Sequence, residues 1–377
     1  MEDIFALGDE LGPLKVIHVH EASLGLKAIL VVDNVAMGPS IGGIRMATDV
    51  TTMECARLAR AMTFKNAAAG LPHGGGKIVI QGDPKMEKTQ KQQLLRAMSS
   101  ALRNERSYIF APDMGTDEQC MGWIRDEVER VVGLPRVLGG IPLDEIGATG
   151  WGLSNVVDVA LTYCDFPLDG ARFVVQGFGA VGKNVSRFLT QKGAVLVAVA
   201  DSEGGVHNPD GLDVEQLLAL KEGGRSVIAY EDGEKLERDA VIDVPCDIWI
   251  PAARPDVVNE ANVHRLDTKL VVQGANIPFT QSAEQYLHEK GVLCVPDFIA
   301  NAGGVICAAM EYHGASETAA LQSIEEKLRR NTEQVLKMAK REQTLPREAA
   351  LKLARERVEE AMAFRRFNTF SMGRNWI

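Results

Sequence analysis

Two short stretches hold the residues best suited to chemistry. The first, "LPHGGGKIVI" at 71–80, gives up side chains at Gly74, Gly75 and Gly76 and then sets Lys77 ahead of an apolar run. Successive glycines let a backbone bend tightly and be approached closely, so this spacing aims one amine from a constrained point. The second, "ARFVVQGFGAVGKNVSRFL" at 171–189, runs from an apolar strand into Gly177, Gly179 and Gly182 and on into a helix. That is the context a GxGxxG turn requires to receive a pyrophosphate on bare backbone and a helix N-terminus. The next strand, "AVLVAVAD", ends at Asp201, nineteen residues beyond Gly182, a distance that suits a carboxylate accepting hydrogen bonds from adenine ribose hydroxyls. Ala180, Val181 and Ser202 belong to the same turn and strand end. A methyltransferase carries a similar glycine turn and acidic strand end, so this unit alone leaves that class open.

The elements that position these residues are read from periodicity. Residues 15–20 and 26–33 have the β-branched content of strands, and "DNVAMGPSIGGIRM" leads through a glycine-rich turn into another extended piece. Over 53–69, Cys55, Leu58, Ala59 and Met62 recur at helical spacing, and Lys65 continues their row. A lysine there either snorkels to water or is aimed into a cavity. Strand-like runs recur at 246–253, 269–276 and 291–305, and the carboxyl ends of such strands in an open α/β sheet place Asn276 and Asn301 beside a bound ligand. Residues 322–364 read as two helices, the second opened by Pro346, with Ile324, Leu328 and Val335 and then Leu353, Ala354, Val358 and Ala361 on their apolar stripes.

The 377 residues suit two domains, and a net charge of −10 argues against nucleic-acid and membrane-surface partners. No run is apolar enough for a membrane span, and the acidic start lacks a signal-peptide pattern, so a cytoplasmic protein is expected. Six scattered cysteines without a CxxC, and histidines without an HExxH, suggest reduced thiols and no metal site.

"GPSIGGIRM", "MTFKNAAAGLPHGGGK", "APDMGTD", "GATGWG", the GxGxxG unit and "NAGGV" follow one another in an order that resembles the glutamate/leucine/phenylalanine/valine dehydrogenase family over most of the chain. The resemblance implies reversible, NAD(P)-dependent oxidative deamination of an L-amino acid to a 2-oxo acid and ammonia. It implies an α/β fold of two domains across a cleft. Residues 1–147 with 340–377 would form a substrate-binding and oligomerisation domain, and 148–339 a Rossmann-type NAD(P)-binding domain. Lys65 of "TFKN" resembles the lysine that binds the α-carboxylate, Lys77 the catalytic lysine, and Asp113 of "APDMG" the proton-transferring aspartate. Thr149 matches a position touching the nicotinamide carboxamide, and Asn276 one beside ring and substrate. A buried lysine near a second cation loses affinity for its proton, so Lys65 beside Lys77 would let Lys77 act as a general base toward water.

Glutamate-specific members carry a lysine immediately before the glycine pair of the "GGIR" motif and a serine seven residues after the asparagine of "NAGGV". Here those positions are Ile41 and Ala308, and Gly42, Ala111 and Val305 complete the expected substrate-binding set. An unpaired buried carboxylate is costly, so an aliphatic substrate such as leucine or valine is expected. Glutamate is the alternative, with His73 or Arg254 reaching its side-chain carboxylate. "DSEGGVHNPDGLD" and "PAARPDVVN" resemble the glutamate branch. The charge of Asp201 favours NAD over NADP, although "ADSEGG" also resembles members that accept NADP. Cys307 is expected to line or back the pocket without chemistry. Relatives imply a homo-oligomer, a hexamer or octamer. A catalytically silent NAD-binding regulator remains a distinct class, and retention of Lys65, Lys77 and Asp113 argues against it.

Overall fold

Alternating apolar residues give the first sheet two faces that both need cover. The computed structural model describes residues 4–364. Its first strands are β1 (Lys15–Glu21), β2 (Leu26–Asn34) and β3 (Ser40–Ala47), followed by α1 (Thr52–Ala68), β4 (Gly75–Gln81), α2 (Lys88–Ala101), β5 (Tyr108–Pro112) and α3 (Glu118–Arg125). The sheet order is β1-β2-β4-β3-β5, antiparallel at β1/β2 and β2/β4 and parallel at β4/β3 and β3/β5. Leu30, Ile44, Met46, Ile78, Ile80, Tyr108 and Phe110 turn one way, into a core completed by α2 and α3. Val31 and Val79 turn the other way and meet Cys55 and Ala59 of α1.

The second unit begins with α4 (Ala148–Leu161) and builds a seven-stranded sheet in the order β12-β11-β10-β6-β7-β8-β9. Its parallel part joins β6 (Arg172–Gln176), β7 (Val195–Ala200), β10 (Ile248–Pro251), β11 (Leu270–Val272) and β12 (Leu293–Val295). The short β8 (Gly205–His207) and β9 (Glu234–Leu236) extend it antiparallel. Helices α5 (Ala180–Gln191), α6 (Val214–Glu222) and α7 (Gln281–Glu289) connect these strands. This is the Rossmann-type arrangement that the glycine turn requires.

The strand expected across 291–305 is confined to three residues. Pro296 caps the short α8 (Asp297–Ala300), and α9 (Gly303–Tyr312) follows at once. The two terminal helices are α10 (Glu317–Glu342) and α11 (Pro346–Phe364), the latter opened by the proline as expected, with Ile324, Leu328 and Val335 fully buried.

By packing, the first unit holds residues to Pro142, Val305–Ala320 and the chain from Leu351, and the second holds Leu143–Gly304 and Leu321–Ala350. The return expected near 340 lies at 351, and 305–320 is a further part of the first unit. Two contacts account for the difference. Glu311 of α9 accepts the amides of Leu134 at 3.1 Å and Ile141 at 3.0 Å, fixing α9 within the first unit. Arg347, at the start of α11, is held within the second by Glu284, Gln273 and Asp297. Of the expected first domain, residues 1–3 and 365–377 lie outside the described residues. Among the described residues no helix is long and apolar enough to cross a membrane, and no group of three or more His, Cys, Asp or Glu is placed to hold a metal ion.

Candidate active site

The register of the first sheet decides which side chains meet. β3 pairs Ile41 with Gly75 on β4 and, on its other edge, Gly43 with Ala111 on β5. Odd-numbered residues of these strands face α1, so Ile41, Arg45, Lys77, Ala111 and Asp113 share one face. Lys77 Nζ donates to Oδ2 of Asp113. Arg45 Nε reaches the same oxygen at 3.3 Å, while its NH1 bonds Glu54 of α1 at 2.9 Å. Burial alone would raise the Asp113 pKa, but the charge and hydrogen bond of Lys77, the Met114 amide and Arg45 outweigh it and hold the carboxyl below its ordinary value. The group that Lys77 Nζ bonds is thus a carboxylate.

The three glycines serve close packing of a strand where a tight bend is expected. Gly75 and Gly76 lie inside β4, and all three are buried. A Cβ on Gly75 would stand 2.0 Å from the Thr63 amide nitrogen, and one on Gly74 would stand 1.8 Å from the Asn34 carbonyl oxygen. Their side chains are absent so that β4 can press against α1 and β2, and Lys77 projects from a rigid central strand. Lys65 lies in the last turn of α1, half-buried.

Ile41 is buried, and Ala308 lies on α9 together with Val305 and Cys307. The Cys307 thiol is pushed up to about 12, chiefly by burial, and stays unreactive at neutral pH. His73 is fully buried, with Nδ1 at 3.1 Å from the Pro39 carbonyl and Nε2 at 3.3 Å from His313 Nε2. Burial drives its pKa down to about 4, so it is neutral and offers no cation to a substrate carboxylate. Arg254 is exposed and lines the crevice of the second unit.

That crevice, about 410 Å³, opens at the carboxyl ends of β6 and β7. Gly177 takes φ +102°, and a Cβ on Gly182 would stand 1.9 Å from the Gly177 carbonyl oxygen, so strand and helix pack directly together. Gly179 caps α5 without any side-chain hydrogen bond and has nothing within 4 Å of where a Cβ would stand. Ala180 and Val181 form the first turn of that helix. Open amides at an uncapped helix start fit a pyrophosphate. Asp201 Oδ1 accepts from the Glu203 amide at 3.0 Å and Ser226 Oγ at 2.8 Å, and Oδ2 from Lys221 Nζ at 2.8 Å and the Val227 amide at 3.0 Å. Burial opposes ionisation there, but these donors prevail and hold its pKa at about 2. The carboxylate expected to meet a ribose is already saturated by protein donors, and Ser202, Lys221 and Arg238 line the crevice beside it.

Asn301 Nδ2 donates to Asn276 Oδ1 at 2.9 Å and to the Ala275 carbonyl at 3.2 Å, so the two expected asparagines form one unit. Asp297 accepts the amide of Ile277, which holds a left-handed φ of 49°. A Cβ on Gly303 would stand 2.4 Å from the Ala148 carbonyl, so "GATG" and "NAGG" meet backbone to backbone and Thr149 sits beside Gly304. The residues missed by sequence reasoning are Arg45, Glu54 and Lys221. Arg45 lies inside the quoted "GGIRM", two residues along the same face from Gly43, and that period was its only local signal.

An uncapped glycine-rich helix start on one sheet fits a dinucleotide pyrophosphate, and a buried lysine–aspartate pair on a second sheet fits proton transfer. Residues 14–130 match the family described as Glu/Leu/Phe/Val dehydrogenase, dimerisation domain, and residues 139–366 match Glutamate/Leucine/Phenylalanine/Valine dehydrogenase. The chain belongs to this family and is an amino-acid dehydrogenase, an oxidoreductase acting on CH–NH2 donors with NAD or NADP. It is 37% identical to a glutamate dehydrogenase of Aeropyrum pernix over 356 residues, 88% of this chain and 85% of that one. It is 36% identical to an NADP-specific glutamate dehydrogenase of Saccharolobus shibatae, covering 74% of this chain and 69% of that one. The crystal structure of a hetero-hexameric glutamate dehydrogenase from Thermus thermophilus, with leucine bound, superposes with a TM-score of 0.82 at 31% identity, covering 93% and 90% of the two chains.

Proposed function

We propose that the chain oxidatively deaminates L-glutamate to the 2-oxo acid and ammonia, reversibly. The observation that carries the chemistry is the Lys77–Asp113 pair, in which no side chain among the described residues donates to Asp113 Oδ1. The substrate choice rests on the relatives, which are glutamate dehydrogenases. They support glutamate above the leucine or valine preference expected from the sequence.

A dinucleotide held at the α5 turn would supply the hydride acceptor for the substrate Cα. Asp113 Oδ1 takes a proton from the amino nitrogen before that transfer and returns one as ammonia leaves. Lys77 takes the proton that water loses as it attacks the iminium, while Asp113 serves the nitrogen. Lys65 holds the α-carboxylate. The Asn276–Asn301 unit, Thr149 and the α5 turn hold the dinucleotide. Active chains assemble as homo-oligomers, hexamers or octamers, in the cytoplasm.

One observation favours a second reading. Ile41 is 2% exposed, and neither it nor Ala308 carries a charge, so an aliphatic side chain meets no desolvation penalty there. Initial rates of NAD and NADP reduction against L-glutamate, L-leucine, L-valine, L-phenylalanine and L-alanine test both readings. Glutamate turnover alone upholds the first, aliphatic turnover alone the second, and none with any member removes the chemistry.

A further inference from the structure

A carboxylate serves as proton carrier only if it is ionised and if one oxygen faces the nitrogen it serves. Arg45 is built to enforce both conditions on Asp113. Its Nε approaches Oδ2 at 3.3 Å, the oxygen that Lys77 also holds, and its NH1 is anchored on Glu54 at 2.9 Å. Glu54 is itself fixed in the first turn of α1, where Thr51 Oγ1 caps its amide at 3.1 Å. Asp113 is positioned from below as well. A Cβ on Gly43 would stand 2.6 Å from Asp113 Cβ, so only glycine leaves room for that side chain. Thr116 Oγ1 accepts the Asp113 amide at 3.0 Å and donates to the Ile44 carbonyl at 2.8 Å.

We propose that Arg45, anchored by Glu54, is a positioning residue that keeps Asp113 ionised with Oδ1 turned to the substrate. This rests on the proton-carrying role of Asp113 proposed above. Lys77 cannot do the same work alone, because a lysine that gives and takes a proton during turnover loses its charge at the moment the carboxylate needs it. A guanidinium keeps its charge throughout and holds a planar fork. The charged and titratable groups around Asp113 are Lys77 from β4, Arg45 from β3 with Glu54 of α1 behind it, and the buried phenol of Tyr108 from β5.

Loss of the cation beside Asp113 favours protonation of its carboxylate. In Arg45→Met the acidic limb of the kcat/KM profile for deamination therefore moves to higher pH by about one unit. The dinucleotide KM stays at its wild-type value and kcat falls. Arg45→Lys restores the limb but, lacking the fork, keeps a kcat lower by about tenfold or more. An unmoved limb in a folded Arg45→Met protein overturns the proposal. If that variant does not fold, wild-type kcat in Arg45→Lys overturns it, and a lowered kcat at an unchanged limb upholds it. Asp113→Asn separates the two layers. Persisting turnover there removes the proton-carrying role itself, whereas an inactive Asp113→Asn with an unmoved Arg45→Met limb removes Arg45 alone.

Discussion

Lys77 Nζ donates to Oδ2 of Asp113, and no side chain among the described residues donates to the other oxygen. If this pair carries the acid–base chemistry proposed above, removing either member removes that catalysis. Lys77→Ala is expected to lower kcat by roughly a hundredfold to ten-thousandfold, while NADH binding followed by fluorescence is retained. A substantial residual rate would take Lys77 out of the chemistry.

The substrate pocket yields a second expectation. Ile41 stands at the start of β3 and Ala308 on α9, the two positions that the family resemblance matches to a lysine and a serine in glutamate-specific members. Ile41→Lys with Ala308→Ser supplies a cation and a hydroxyl, and kcat/KM for glutamate relative to leucine should rise. An unchanged ratio in the double variant means that other residues contact the side chain of the substrate.

His73 makes stability depend on pH. Its pKa falls from an ordinary 6.5 to about 4, mainly through burial and to a smaller extent through His313. A lowered folded pKa means that the neutral form stabilises the fold above pH 6.5, and this contribution is lost as pH falls from 6.5 toward 4. The loss amounts to about 3 kcal/mol at the acid end. His73→Leu should flatten this dependence when thermal midpoints at pH 7 and pH 4.5 are compared. Equal losses in variant and wild type would place the acid sensitivity elsewhere.

Local patterns were the legible ones. The GxGxxG unit, the α1 stripe and the Pro346 helix start depend on neighbours within a few residues, and all three appear where the sequence places them. Contacts between distant residues were not legible. The glycines at 74–76 read as a bend because nothing in the sequence says that Thr63 and Asn34 lie against them. Arg45 and Asp113 are 68 positions apart, and only the parallel register of β3 with β5 joins them. Asp201 was legible as a strand-end acid, whereas its saturation by Lys221, Ser226 and Val227 depends on the chain returning after α6.

Two glycine substitutions separate packing from ligand approach. A Cβ on Gly75 would lie 2.0 Å from the Thr63 amide nitrogen and 2.4 Å from its Oγ1, so β4 and α1 must move apart to admit it. Gly75→Ala is expected to cost about 1–3 kcal/mol or more, because overpacking here displaces backbone. It should also raise the amino-acid KM, since Lys65 lies in the last turn of the displaced helix. Gly179→Ala meets nothing within 4 Å in the protein, so its thermal midpoint should stay at the wild-type value while the dinucleotide KM rises. Denaturant unfolding and steady-state kinetics on both variants read the contrast. Wild-type stability in Gly75→Ala would mean that α1 yields at little cost, and the close approach of β4 would no longer explain why the chain omits that side chain.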